Sequence, residues 1–129
     1  MRYTVDHIDN QATLILHESH LNAENSSELK GELIILCRSG IDVLFVDLGE
    51  VIYCDSSGLS AMLMAHREMG AAGGYAIYYS LSPEVSSLIE LARLDRVLFI
   101  YPTKEEALAD LAKQDDEDDD LDLDLDLGL

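Results

Sequence analysis

The sequence predicts an α/β domain: a mixed, mostly parallel sheet opened by a β-hairpin, with about four helices packed against it. Three observations predict this class. Two short strand-like segments stand together at the start of the chain. Short apolar runs then alternate with segments whose apolar residues recur at helical spacing. One of those runs, Ile41 to Leu48 (IDVLFVDL), is nearly all apolar and rich in β-branched residues. That is the composition of a strand buried on both faces and paired in parallel.

Each element follows from its residues. Tyr3 to Ile8 alternates loosely, Ala12 to Leu16 is apolar, and Asp9-Asn10-Gln11 between them is turn-like, which predicts a hairpin. Asn22 is a candidate N-cap, with Glu24 in the first turn of the helix it would open. Leu29, Leu33, Leu36 and Cys37 share one face of that helix, and Arg38 and Gly40 supply its C-terminal chemistry; Gly31 weakens it slightly. After the buried strand a connection runs from Gly49 to Asp55. Leu59, Met62, Leu63, His66 and Met69 then mark a second amphipathic helix, ended by Gly70 and Gly73-Gly74.

Tyr75 to Tyr79 (YAIYY) is the next strand. Ser82-Pro83 starts a helix, with serine as N-cap and proline in the first helical position, and Val85, Leu88, Ile89 and Ala92 form its stripe. Val97 to Tyr101 (VLFIY) is a strand. Thr103 with Glu106 forms a capping box for a last helix carrying Ala107, Leu108 and Leu111. The order is β-β-α-β-α-β-α-β-α, without internal repeats. It divides the chain into a domain, residues 1–113, and a low-complexity tail, residues 114–129, whose dense charge predicts disorder. Leu121 to Leu127 alternate with aspartate at period two, so an edge strand or docking peptide is the other reading of that segment.

Composition excludes several functions. The chain has 129 residues and a net charge of −18. Nine acids and no base lie in residues 114–129, which leaves 17 acids and 8 bases, a net of −9, in residues 1–113. A nucleic-acid footprint needs clustered Lys and Arg, so neither nucleic acid nor an anionic membrane is an expected partner. The N-terminus lacks the basic start and apolar run of a signal peptide, and no apolar stretch is long enough to span a bilayer, so the expected location is the cytoplasm. Cys37 and Cys54 form no CxxC and sit among apolar residues, as buried reduced thiols would. His7, His17, His20 and His66 do not cluster with them at ligand spacing, so no metal is expected.

The informative stretch is Asp55-Ser56-Ser57-Gly58-Leu59. It places two hydroxyls and a carboxylate where a loop leaving a buried strand enters a helix. The unpaired N–H groups and dipole of a helix start favour negative charge, so a phosphoryl group there would be stabilised. It would also put about −1.5 to −2 charges beside Asp55, repelling anything docked over that helix end. The simpler reading is that Asp55 and the serines only cap the helix and Gly58 only eases the turn.

Taken with the order of elements, this segment resembles the STAS family of anti-sigma-factor antagonists. Leu21-Asn22-Ala23-Glu24-Asn25 opens a helix as the family's first helix opens, and Ser82-Pro83 and Leu94-Asp95 also sit where the family has them. The resemblance spans about residues 2–112. It implies that Ser56 is phosphorylated by a partner serine kinase that is also an anti-sigma factor, that the unphosphorylated form binds this partner and so releases a sigma factor, and that a phosphatase reverses the modification. Asp55, Ser57, Gly58 and Asn22 would support the switch loop, and Leu59 and Met62 would contact the partner. Two departures stand out. The family's Gly-x-Leu-Asp element before the first helix is Ser19-His20-Leu21-Asn22 here, and the acidic tail lies outside the pattern.

Enzyme readings fail on the residues. There is no G-x-S-x-G elbow, and His66 lies about two and a half helical turns beyond Ser56. Asp47 lacks the paired acids and late lysine of a receiver domain. The glycines at 70, 73 and 74 follow a helix and precede a strand, the reverse of a nucleotide-binding loop, so no cofactor is expected. The alternative function is a constitutive STAS adaptor in a larger signalling or lipid-transport assembly, with Ser56 a plain cap. The free edge of the opening hairpin is a candidate site for a homodimer.

Overall fold

The computed structural model describes residues 1–113; the tail expected to be disordered, 114–129, lies outside the described residues. The chain runs β1 (Tyr3–Ile8), β2 (Gln11–Leu16), β3 (His20–Leu21), α1 (Ser26–Cys37), β4 (Val43–Asp47), β5 (Tyr53–Cys54), α2 (Ser56–Ala71), β6 (Tyr75–Tyr79), α3 (Pro83–Leu91) and β7 (Phe99–Tyr101), with residues 104–113 forming α4. The main sheet has the order β1-β2-β4-β6-β7. β1 and β2 are antiparallel, joined through Asp9, which takes the left-handed conformation (φ 54°) that aspartate tolerates. The remaining neighbours are parallel, as crossovers through helices require.

Period-two alternation divides the sheet between two apolar layers. Leu44, Val46, Ala76 and Tyr78 face α1, α2 and α3 in the larger layer, with Leu29, Leu33, Met62, Ala65, Val85 and Ile89 against them. Val43, Phe45, Ile77 and Tyr79 point the other way, onto Ala107 of α4. Lys104, at the start of α4, donates from Nζ to Thr13 Oγ1 at 2.7 Å and lies 5.0 Å from the centre of the Phe45 ring. Tyr78 is fully buried, and its hydroxyl donates to the Met62 carbonyl at 2.7 Å, tying β6 to α2.

The sequence-based elements are all present, with local corrections. α1 begins at Ser26 behind an N-cap at Asn25, not at Asn22. Asn22 closes a turn of its own: its side-chain oxygen accepts from the Glu24 N–H, and its carbonyl accepts from Asn25 and Ser26. Ala92 and Leu108, expected in buried stripes, are exposed, because α3 has already ended at Leu91 and α4 turns Leu108 away from the sheet. The Thr103 hydroxyl accepts from the Glu106 N–H at 3.2 Å, as the capping pattern requires. Two strands of two residues, β3 and β5, form a separate parallel pair, His20 with Tyr53 and Leu21 with Cys54. This small pair positions the site.

Candidate functional site

The loop into α2 is held from below by the segment before α1. The Ser19 carbonyl accepts from the N–H groups of Ile52 (2.8 Å) and Tyr53 (3.1 Å), and the Leu21 carbonyl accepts from Asp55 (3.0 Å). Ser82, the N-cap of α3, adds a third tether: its hydroxyl donates to the Ile52 carbonyl at 2.8 Å and accepts from the Val85 N–H. The chain therefore enters α2 at a fixed angle, with Asp55 extended (φ −102°, ψ −172°) as N-cap.

The four residues of Asp55-Ser56-Ser57-Gly58 do four different things. One oxygen of the Asp55 carboxylate accepts from the Ser57 N–H at 2.9 Å, the Gly58 N–H at 3.3 Å and the Ser57 hydroxyl. Foremost the Ser57 hydroxyl, then the backbone N–H groups, hold its pKa below the usual carboxylate range. Ser57 is half-buried and spent on that bond. Ser56, the first helical residue, is exposed, and its hydroxyl has no hydrogen-bond partner among the described residues. Gly58 is buried against β3 and β5: a Cβ there would sit 2.4 Å from Cys54 Sγ and 3.0 Å from Leu21 Cβ. Its role is close packing of the helix start, beyond easing a turn.

Around Ser56 the surface is partly apolar. Tyr53 and Ile52 are about half exposed, at 51% and 47%, and the Tyr53 and His20 rings pack at 5.3 Å. Cys54 lies beneath, its thiol pushed up to about 11 by burial and so not a thiolate at neutral pH.

A family model, the STAS domain, matches residues 3–107. The chain belongs to the STAS family. A relative in Bordetella bronchiseptica, BtrV, named as a candidate anti-sigma factor antagonist, is 26% identical over 109 residues, 84% of this chain and 93% of its own. A crystal structure of a candidate anti-sigma factor antagonist from Thermotoga maritima is 25% identical and superposes with a TM-score of 0.74, covering 84% of this chain and 92% of that one. The Bacillus cell fate determinant SpoIIAA in its phosphorylated form shares the fold, with a TM-score of 0.65 at 17% identity over 85% of this chain and 99% of its own.

Within this STAS domain three sequence-based site assignments change. Leu59 and Met62, expected to contact a partner, are 7% and 2% exposed and belong to the core. Their spacing is that of the inward stripe of α2, so the same pattern that revealed the helix hides them from a partner. The outward stripe is Ser56, Ser60 and Arg67. Asn22 makes none of the hydrogen bonds that fix residues 55–58; Leu21, one residue before it, supplies the carbonyl. The first-turn donors expected to be free for a phosphoryl group are largely taken, since Asp55 already holds the Ser57 and Gly58 N–H groups. The tethers from Ser19 and Leu21 were missed because backbone carbonyls leave no mark on sequence, and that from Ser82 because its hydroxyl was read only as a cap of α3. His66, as expected, lies away from the serines, with its ring 5.5 Å from that of Phe99. Among the described residues, no three His, Cys, Asp or Glu side chains gather as metal ligands, and no helix is long and apolar enough to cross a membrane.

Proposed function

We propose that this STAS domain is an anti-sigma-factor antagonist switched by phosphorylation of Ser56. The observation that carries it is the division of labour between adjacent serines: Ser57 is locked onto Asp55, whereas Ser56 presents a free, exposed hydroxyl at the start of a rigid helix. The unmodified surface of Ser56, Ile52, Tyr53 and Ser60 binds an anti-sigma factor that is also a serine kinase, freeing a sigma factor in the cytoplasm. A phosphoryl group added to Ser56 lies beside a carboxylate kept ionised by its own hydrogen bonds. With the Ser57 and Gly58 N–H groups occupied, its charge is turned outward onto the docking surface, where a partner meets repulsion and a costly desolvation. A phosphatase resets the switch. The domain acts by binding; neither serine hydroxyl is paired with an imidazole among the described residues, as nucleophilic catalysis would need.

The test is phosphosite mapping. Full-length protein is incubated with ATP and lysate of its native organism, and the phosphorylated residue is read by tandem mass spectrometry. Phosphate on Ser56, abolished by Ser56→Ala, supports the proposal. Phosphate confined to other residues, or none, leaves Ser56 as the exposed first residue of a helix capped by Asp55 and makes the domain a constitutive adaptor.

A further inference from the structure

The two edges of the main sheet differ. β7 is three residues long and runs directly into Pro102, and both features discourage a further strand. β1 runs for six residues without proline or glycine, and no bulge interrupts its register with β2. Its other side has no partner strand among the described residues. The His17 N–H donates to the Arg2 carbonyl at 2.9 Å, and antiparallel bonds recur at every second residue. Arg2, Thr4, Asp6 and Ile8 therefore turn their backbone groups toward β2, while Tyr3, Val5 and His7 turn theirs outward.

This edge is complementary to itself. Two copies of β1 related by a two-fold axis through Val5 run antiparallel, with Val5 opposite Val5, Tyr3 opposite His7 and Thr4 opposite Asp6. Every outward residue of each copy then bonds in both directions. Asp6 is exposed and forms no ion pair among the described residues. Arg2, with a side chain 78% exposed and 3.8 Å from Glu18, stands opposite Ile8 of the second copy and diagonal to its Asp6, within reach of a long side chain. Its aliphatic stem would cover Ile8, which is 66% exposed, while its guanidinium meets the carboxylate. Neighbouring registers lose this match. An axis through Asp6 sets two carboxylates face to face, and one through Thr4 carries His7 past the end of the opposing strand.

We propose that β1 pairs with β1 of a second copy, antiparallel about Val5, and joins two five-stranded sheets into one continuous sheet. The occupant is a second copy because the base before the strand meets the acid within it when the same sequence returns in the opposite direction. The interface is a strand edge with its flanking side chains, so it is small and its occupancy follows concentration. Two chains of net charge −18 also repel, a force largely screened at physiological salt, where the Debye length is about 8 Å.

The experiment is disulfide trapping between full-length chains at physiological salt. One chain carries Thr4→Cys and the other Asp6→Cys, both in a Cys54→Ala background; Cys37 is buried. Positions 4 and 6 would face each other as a non-hydrogen-bonded pair with Cα atoms about 4.5 Å apart, within disulfide range. In a glutathione redox buffer the expected product is the mixed disulfide, formed when the two chains are combined and absent when either is oxidised alone. His7→Pro in both chains removes an outward N–H that β2 does not use, so the cross-link is lost while far-UV dichroism is kept. The unsubstituted chain should show a sedimentation coefficient that rises with concentration. Absence of the mixed disulfide overturns the proposal, as does a chain that sediments as a monomer at every concentration. Self-cross-linking of Thr4→Cys alone or Asp6→Cys alone overturns it in favour of another register. A mixed disulfide that survives His7→Pro in folded protein overturns it as a product of random collision.

Discussion

Gly58→Ala and Gly31→Ala should move stability in opposite directions, although both replace a helical glycine. Alanine in a helix interior is favoured over glycine by roughly 0.5–1 kcal/mol. At Gly31, exposed on α1, a Cβ meets nothing within 4 Å, so the whole gain is realised. At Gly58 the same atom would lie 2.4 Å from Cys54 Sγ, 3.0 Å from Leu21 Cβ and 3.3 Å from the Leu21 carbonyl oxygen. The sulfur sits on a strand pinned through Ser19 and Leu21, and the carbonyl is the acceptor for Asp55, so neither retreats freely. Overpacking of this kind costs about 1–3 kcal/mol. Subtracting the propensity gain leaves Gly58→Ala destabilised by up to about 2.5 kcal/mol, whereas Gly31→Ala is stabilised by about 0.5–1 kcal/mol. For a domain near 100 residues each kcal/mol moves Tm by about 4–8 °C. Urea titration and calorimetry of both variants measure this. A Gly58→Ala protein as stable as the parent, with unchanged hydrogen exchange at Asp55, refutes the packing assigned to the helix start.

Two further predictions concern the site and its support. Asp55→Ala lowers Tm at neutral pH, and the deficit against the parent narrows as pH falls below about 4, the ordinary carboxylate value. The sign follows from a folded-state pKa below the unfolded one: the contribution is present above the unfolded value and lost as pH drops through the folded value. A deficit that stays constant down to pH 2 contradicts the hydrogen bonding assigned to Asp55. Tyr78→Phe removes a buried hydroxyl from the Met62 carbonyl and costs about 1 kcal/mol in urea unfolding, with no change in the pattern of far-UV dichroism.

What could be read from sequence tracks the strength of the local signal. Ile41 to Leu48 and YAIYY declared themselves because strands buried on both faces tolerate almost no polar residue. β3 and β5 did not, since two residues carry no period, and their pairing is visible only once His20 and Tyr53 lie side by side. Two asparagines, at 22 and 25, offer equal capping chemistry, and the boundary at Asn25 is tertiary: its side chain makes no cap bond to α1, and instead accepts from the Asn22 N–H at 3.0 Å and donates to the His20 carbonyl at 2.8 Å. The position of the Asp55-Ser56-Ser57-Gly58 site was legible as a helix start. The different fates of Ser56 and Ser57 were not, because they depend on where one carboxylate oxygen points. Leu59 and Met62 show the opposite failure: helical spacing marked them correctly as a stripe, and a stripe of that kind faces the core.

The most direct test of the phospho-switch compares partner capture by three full-length baits: unmodified protein, Ser56→Ala, and protein carrying authentic phosphoserine at position 56. A serine kinase of the anti-sigma type retained by the first two and lost from the third is the predicted result. Equal retention by all three contradicts the switch and leaves Ser56 as the exposed first residue of a helix capped by Asp55.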